Sequence, residues 1–145
     1  MVVRIATVAF EGIEARPVDV QVQISSGNVH FSLVGLGDKA VGESRERVRA
    51  ALNASGLAMP AKRITVNLAP ADIPKEGSHY DLPIALGIMA AIGAIPADAL
   101  AGFTILGELA LDGSVSRVAG ELPAAMAATA RGHGLICSSE DGPEA

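Results

Sequence analysis

Hydrophobic and polar residues alternate strictly over residues 17–25, PVDVQVQIS. Val18, Val20, Val22 and Ile24 fall on one side, Asp19, Gln21 and Gln23 on the other. A period of two predicts a strand with one buried and one wet face. Ser26-Gly27 supplies a tight turn, and NVHFSLV repeats the alternation with Val29, Phe31 and Leu33, so the pair reads as an antiparallel hairpin. RIATVAF before it is a third short strand, and the opening reads as a small meander. Further on, KRITVNL alternates Ile64, Val66 and Leu68 as a fourth strand.

The period then changes. Asp38 is placed to cap a helix through KAVGESRERVRAALNAS, with Val41, Val48, Ala51 and Leu52 on one side at helical spacing. Glu43 and Arg47 stand four apart in the favourable order, a solvated pair expected to contribute about 0.3 kcal/mol. LPIALGIMAAIG is apolar nearly all round and is therefore a buried helix, with Asp81 as its cap and Pro83 in the first turn, where no amide partner is needed. FTILGELAL and SVSRV flank Asp112-Gly113, a dipeptide favoured in two-residue hairpin turns. A last helix over about Leu122 to Arg131 and a strand at LIC complete the order βββαβαββαβ. Strands first and helices interspersed later predict an α+β fold, one mixed sheet with helices packed on it. The domain is expected over 1–137, and the polar tail 138–145, SSEDGPEA, is expected to fray.

Composition adds limits. At 145 residues, 50% hydrophobic and with a mean hydropathy of +0.39, the chain is one domain with a sizeable core. Phe10, Phe31, Phe103 and Tyr80 are its only aromatics, so aliphatic residues must fill that core. No apolar run reaches the roughly 20 residues that cross a bilayer, and no secretory leader is evident, so a cytoplasmic address without membrane contact is expected. Cys137 is the only cysteine, which excludes an internal disulfide and a thiolate-rich zinc site. A formal net charge of −5 does not advertise nucleic-acid binding; such a role needs a local basic patch.

The stretch NLAPADIPKEGSHYDLPIAL, residues 67–86, carries the candidate chemistry. Ser78, His79 and Asp81 offer the three residue types of a hydrolytic triad, but sequence neighbours rarely converge on one reacting atom. Ser78 and Asp81 are better read as helix caps and His79 as solvated. The same stretch, with ILGELALDGSVSRVAG and the helix and strand after it, resembles the proteolytic domain of Lon proteases. On that resemblance Pro74, Lys75 and Gly77 match the loop leading to the nucleophilic serine, Glu76 replaces an acid with an acid, and Gly107-Glu108 match the following strand. The reactive positions do not match: the serine falls on His79 and the base lysine on about Ala124. The chain's lysines, Lys39, Lys62 and Lys75, all precede Ser78, so no downstream amine stands ready to activate it.

A resemblance over the whole chain is closer. VGLGDKAVGESRERVRAALNASG, KRITVNLAPADIPKEGSHYDLPIA and LGELALDGSVSRVAG, in that order, resemble the N-terminal domain of the bacterial ComM/YifB-type proteins, often labelled magnesium-chelatase-like ATPases. The family implies a ribosomal-protein-S5 domain 2-like fold, two layers with a mixed sheet, joined to a AAA+ module. It further implies a homo-hexamer, ATP and Mg2+ in the parent protein, and DNA branch migration during natural transformation. No G-x-x-x-x-G-K-[ST] loop occurs here, so no cofactor is expected in this domain itself, and the chain is expected to be a piece of a longer protein.

The remaining candidates are weaker. His30 is expected on the wet side of its strand, and His133 with Cys137 falls short of the three or four ligands zinc requires. Asp72, Glu76 and Asp81 could hold magnesium through oxygen, though a solvated acidic loop whose carboxylates serve turns and caps explains them better. Arg45 and Arg49, one turn apart on the first helix, and Lys62-Arg63 at the next strand could together contact phosphates. The alternative is pairing with Glu43, Glu46 or a neighbouring subunit, which the negative net charge and the lack of interleaved aromatics favour. Three functions follow as expectations: an accessory domain of a ComM-type ATPase, a Lon-like peptidase with an altered site, or a subunit of a magnesium chelatase.

Overall fold

A computed structural model describes residues 1–140. Eight strands and three helices run in the order β1 (Val3–Glu11), β2 (Glu14–Ser25), β3 (His30–Val34), α1 (Asp38–Ala54), β4 (Arg63–Ala69), α2 (Asp81–Ala91), β5 (Phe103–Ile105), β6 (Glu108–Leu109), β7 (Val115–Ser116), α3 (Glu121–Ala130) and β8 (Gly134–Ile136), with one 3-10 turn at Ala97–Leu100. Six strands form one mixed sheet in the order β3-β4-β2-β1-β5-β8, and β6 and β7 form a separate ribbon. The fold is α+β, as the pattern predicts.

The alternation places the core. Ile5 opposite Val20 and Val3 opposite Val22 on β1 and β2, then Val20 opposite Leu68 and Val22 opposite Val66 on β4, make one apolar face. Val20, Val22 and Val66 are fully buried there, beneath Val48 of α1 and Ile84 and Ile88 of α2. Full burial of such a side chain contributes roughly 1.5–3 kcal/mol, so this face dominates stability. α2 is buried on nearly all sides, as its uniform apolarity predicts. Gly87 lets it approach the sheet: a Cβ there would stand 2.6 Å from Val22 Cγ2. The opposite face stays polar over β2 and β4, where Asp19 accepts from Arg4 and Gln21, and Gln21 accepts from Asn67. Toward β5 and β8 that face is covered by α3, with Ala124 packed on Val8 and Leu106.

Two predicted pairings differ. β2 and β3 do not form a hairpin; β4 lies between them, antiparallel to β2 and parallel to β3. α1 makes the stretch from β3 to β4 a crossover, which leaves those two strands parallel. The predicted strand FTILGELAL is also broken. Phe103–Ile105 joins the main sheet, while Glu108–Leu109 turns into the ribbon around Asp112-Gly113. The break falls at Gly107, where a Cβ would meet Val115 Cγ1 at 2.7 Å.

The capping expectations are corrected as well. Gly37, not Asp38, precedes α1, without a side-chain cap, and Asp38 opens the first turn. Ser138, assigned to the fraying tail, is buried, and its hydroxyl accepts from the Glu140 amide; the expectation for 141–145 lies outside the described residues.

Candidate functional site

Asp81 is fully buried at the start of α2. It does not cap the helix, because the amides there are already satisfied. Asp81 N donates to Ser78 O, Leu82 N to Gly107 O and Ile84 N to Tyr80 O, and Pro83 has none to offer. Its carboxylate turns instead to α1 and β6. Oδ1 accepts from Ser44 Oγ at 2.7 Å and Arg47 Nη2 at 3.2 Å; Oδ2 accepts from Arg47 Nε at 2.5 Å and the Leu109 amide at 3.1 Å. All the lone-pair directions of an ionised carboxylate are thereby used, two of them in the planar fork that suits arginine. The hydrogen bond to Asp81 pushes the Arg47 guanidinium pKa up, against the effect of burial. Arg47 thus serves Asp81 rather than Glu43, whose ammonium neighbour is Lys39 at 4.0 Å.

His79 is not solvated. It is 4% exposed, between the rings of Phe10 and Tyr80 at centroid distances of 5.0 and 4.0 Å, and its Nε2–H donates to Val8 O at 2.7 Å. Burial lowers its pKa, with the Val8 carbonyl opposing. Ser78 caps nothing. With Phe10, Gly77, His79 and Arg117 it lines an open cavity of about 380 Å³. Arg117, which also reaches Glu121 at 3.6 Å, is the cation there, and a guanidinium does not deprotonate to become a base. Lys75 is almost fully buried in the loop, with Nζ on the Ile73 carbonyl at 2.8 Å. Pro74, Glu76 and Gly77 are exposed around it, and Gly77 bends the chain at φ +104° beside the His79 ring. The positions that match the Lon serine and lysine, His79 and Ala124, both rest on Val8. His79 holds its carbonyl and Ala124 its side chain.

A second cavity, of about 410 Å³, opens between α1 and the starts of β3 and β4. Arg45, Arg49, Lys62 and His30 border it, with Phe31, Met59 and Ile64 among its apolar walls. Arg63 does not. Strand residues alternate, and Ile64 takes the side of α1. Arg45 Nη1 donates to Phe31 O at 3.0 Å and Arg49 Nη1 to Glu46 Oε1 at 3.5 Å. His30 borders the cavity at its mouth, where its amide donates to the Lys62 carbonyl at 3.4 Å; its register partner on β4 is Arg63, so its ring takes Arg63's side of the sheet.

Among the described residues no group of three or more His, Cys, Asp or Glu is placed to hold a metal ion. His133 Nδ1 bonds Thr104 Oγ1 at 3.0 Å, and Asp81 is tied to Arg47 away from any pairing with Asp72 or Glu76. No helix among the described residues is long and apolar enough to cross a membrane.

A mixed sheet with a buried arginine–aspartate pair at the end of the PKEG loop defines an α+β domain. Residues 20–141 match the family described as Subunit ChlI of Mg-chelatase, and the chain belongs to that family. The likeness to chelatase subunit ChlI therefore lies in this chain itself. The chain is 47% identical over 134 residues to Competence protein ComM of Haemophilus influenzae, and 44% identical over 133 residues to Uncharacterized protein YifB of both Salmonella typhimurium and Escherichia coli. Each alignment covers 92% of this chain and 26% of the relative, so the chain spans about a quarter of the length of these curated relatives. The chain is thus magnesium-chelatase-like and similar to proteins named ComM and YifB.

Proposed function

We propose that the chain is a non-catalytic accessory domain of a ComM-like AAA+ ATPase, serving subunit assembly, DNA guidance or both. The parent binds ATP and Mg2+ in its own motor module, forms a hexamer in the cytoplasm and migrates DNA branches. The observation that carries the reading is Ala124. Where the Lon-like pattern asks for a base lysine, a fully buried methyl group packs on Val8 and Leu106, and the cation beside Ser78 is an arginine. Neither can take a proton from a serine hydroxyl. In the full-length polypeptide, deletion of residues 1–145 is expected to abolish or weaken hexamer formation, ATP hydrolysis or DNA unwinding. Unchanged values for all three would defeat the reading, and so would fluorogenic-peptide cleavage that disappears in Ser78→Ala.

The family description favours a second reading, a subunit of a magnesium chelatase. Tetrapyrrole binding by the chain, followed by absorbance, would favour it over the first.

A further inference from the structure

The cavity bordered by Arg45, Arg49 and Lys62 gathers cations from two separate segments, α1 and the approach to β4. Among the described residues, the Lys62 ammonium has no hydrogen bond or ion pair. Arg45 gives one of its five N–H groups to the Phe31 carbonyl and Arg49 makes one long contact with exposed Glu46, so both keep donors in reserve. Among the described residues, Glu46 is the only carboxylate paired with this group. The net negative charge of the whole chain bears on this group only within a screening length of about 10 Å at ordinary salt.

From this geometry we infer that the cavity is a contact site for the phosphate backbone of single-stranded nucleic acid. The inference rests on the DNA-guidance half of the reading above and names the residues that would carry it. Arg45 and Arg49 stand four residues apart on a helix, roughly 6 Å along its axis, comparable with the step between consecutive phosphates of a strand. Lys62 faces them across the opening as a third cation. The walls between the cations are apolar: Val29 is 71% exposed beside Met59, a surface suited to a sugar or base face and poorly suited to the carboxylates of an acidic peptide. Arg45 also covers the Phe31 carbonyl on the outer edge of β3, which hinders a further strand from pairing there and leaves the groove for a ligand.

Fluorescence anisotropy of a labelled oligo-dT 20-mer with the 145-residue chain tests this at two salt concentrations. Arg49→Ala/Lys62→Ala is expected to weaken binding about tenfold and to reduce the salt slope by about 1.4, two strand contacts at roughly 0.7 each. Arg63→Ala, on the opposite side of the same strand, is expected to change binding less than about twofold. Urea midpoints confirm that the variants fold. No binding by the unaltered chain at low salt, or an equal loss in Arg63→Ala, would overturn the inference. Displacement of the strand by an equal concentration of inorganic phosphate would overturn it in favour of a free-anion site, and tighter binding of an acidic peptide at the same residues in favour of a protein partner. None of these outcomes depends on ring assembly, so loss of the strand site and failure of the accessory-domain reading are separately visible.

Discussion

Helix α1 presents its charges to two regions with opposite character. On its inner side Arg47 and Ser44 reach a fully buried Asp81 and leave that carboxylate with no unused acceptor. On its flank Arg45 and Arg49 border an open cavity with Lys62 and His30, where donors outnumber acceptors. The residues are one or two positions apart, so the same stretch SRERVR, residues 44–49, supplies a structural ion pair and a set of available cations. What separates them is the carboxylate. A partner buried at the junction of α1, α2 and β6 fixes its arginine, whereas exposed Glu46 holds Arg49 only at 3.5 Å. Exposed pairs of that kind are worth roughly 0–1 kcal/mol, little enough to exchange for a ligand.

Breaking the inner region should have the largest effect. Asp81→Ala strands Arg47, Ser44 and the Leu109 amide, and a loss of about 3–5 kcal/mol is expected from urea unfolding. Gly87→Ala drives a methyl group into Val22, and the same measurement should record a loss of about 1–3 kcal/mol, because the sheet and α2 can relax only partly. A smaller effect concerns His79. Its pKa is lower folded than unfolded, so the folded state favours the neutral ring; the stabilisation is fully present above about pH 6.5 and is lost as pH falls from there toward the folded pKa. Stability should therefore decline below pH 6.5, and His79→Gln, which keeps a donor for Val8 O without titrating there, should flatten that decline. At the outer region, Arg49→Ala and Lys62→Ala should each shift stability by no more than about 0.5 kcal/mol. A large shift there would erase the distinction between the two regions.

The sequence made the buried faces legible because alternation and helical spacing are local. Val18, Val20 and Val22, the all-apolar α2 and the Asp112-Gly113 ribbon were all readable that way. Pairing partners were less so. β2 and β3 each alternate, yet nothing local says that β4 inserts between them. The loop was misread for a related reason. Ser78, His79 and Asp81 are the residue types of caps and of triads, and their actual roles depend on groups far along the chain: Val8 for His79 and Arg47, 34 residues away, for Asp81. Once Ser78, Gly107 and Tyr80 carbonyls satisfy the helix amides, a capping side chain has nothing to do. The basic group was legible in part. Strand parity alone could have set Arg63 apart from Lys62, while His30 needed the β3–β4 pairing to be seen.

The central claim is that the polar end of the PKEGSHYD loop is a structural junction, with Asp81 engaged by Arg47 rather than available for chemistry. A double-mutant cycle over Arg47→Ala and Asp81→Ala, read as urea-unfolding free energies, tests it most directly. The account predicts a coupling at the upper end of the roughly 0.5–3 kcal/mol range seen for residues in one network. Additive losses, with no coupling between the two positions, would contradict it.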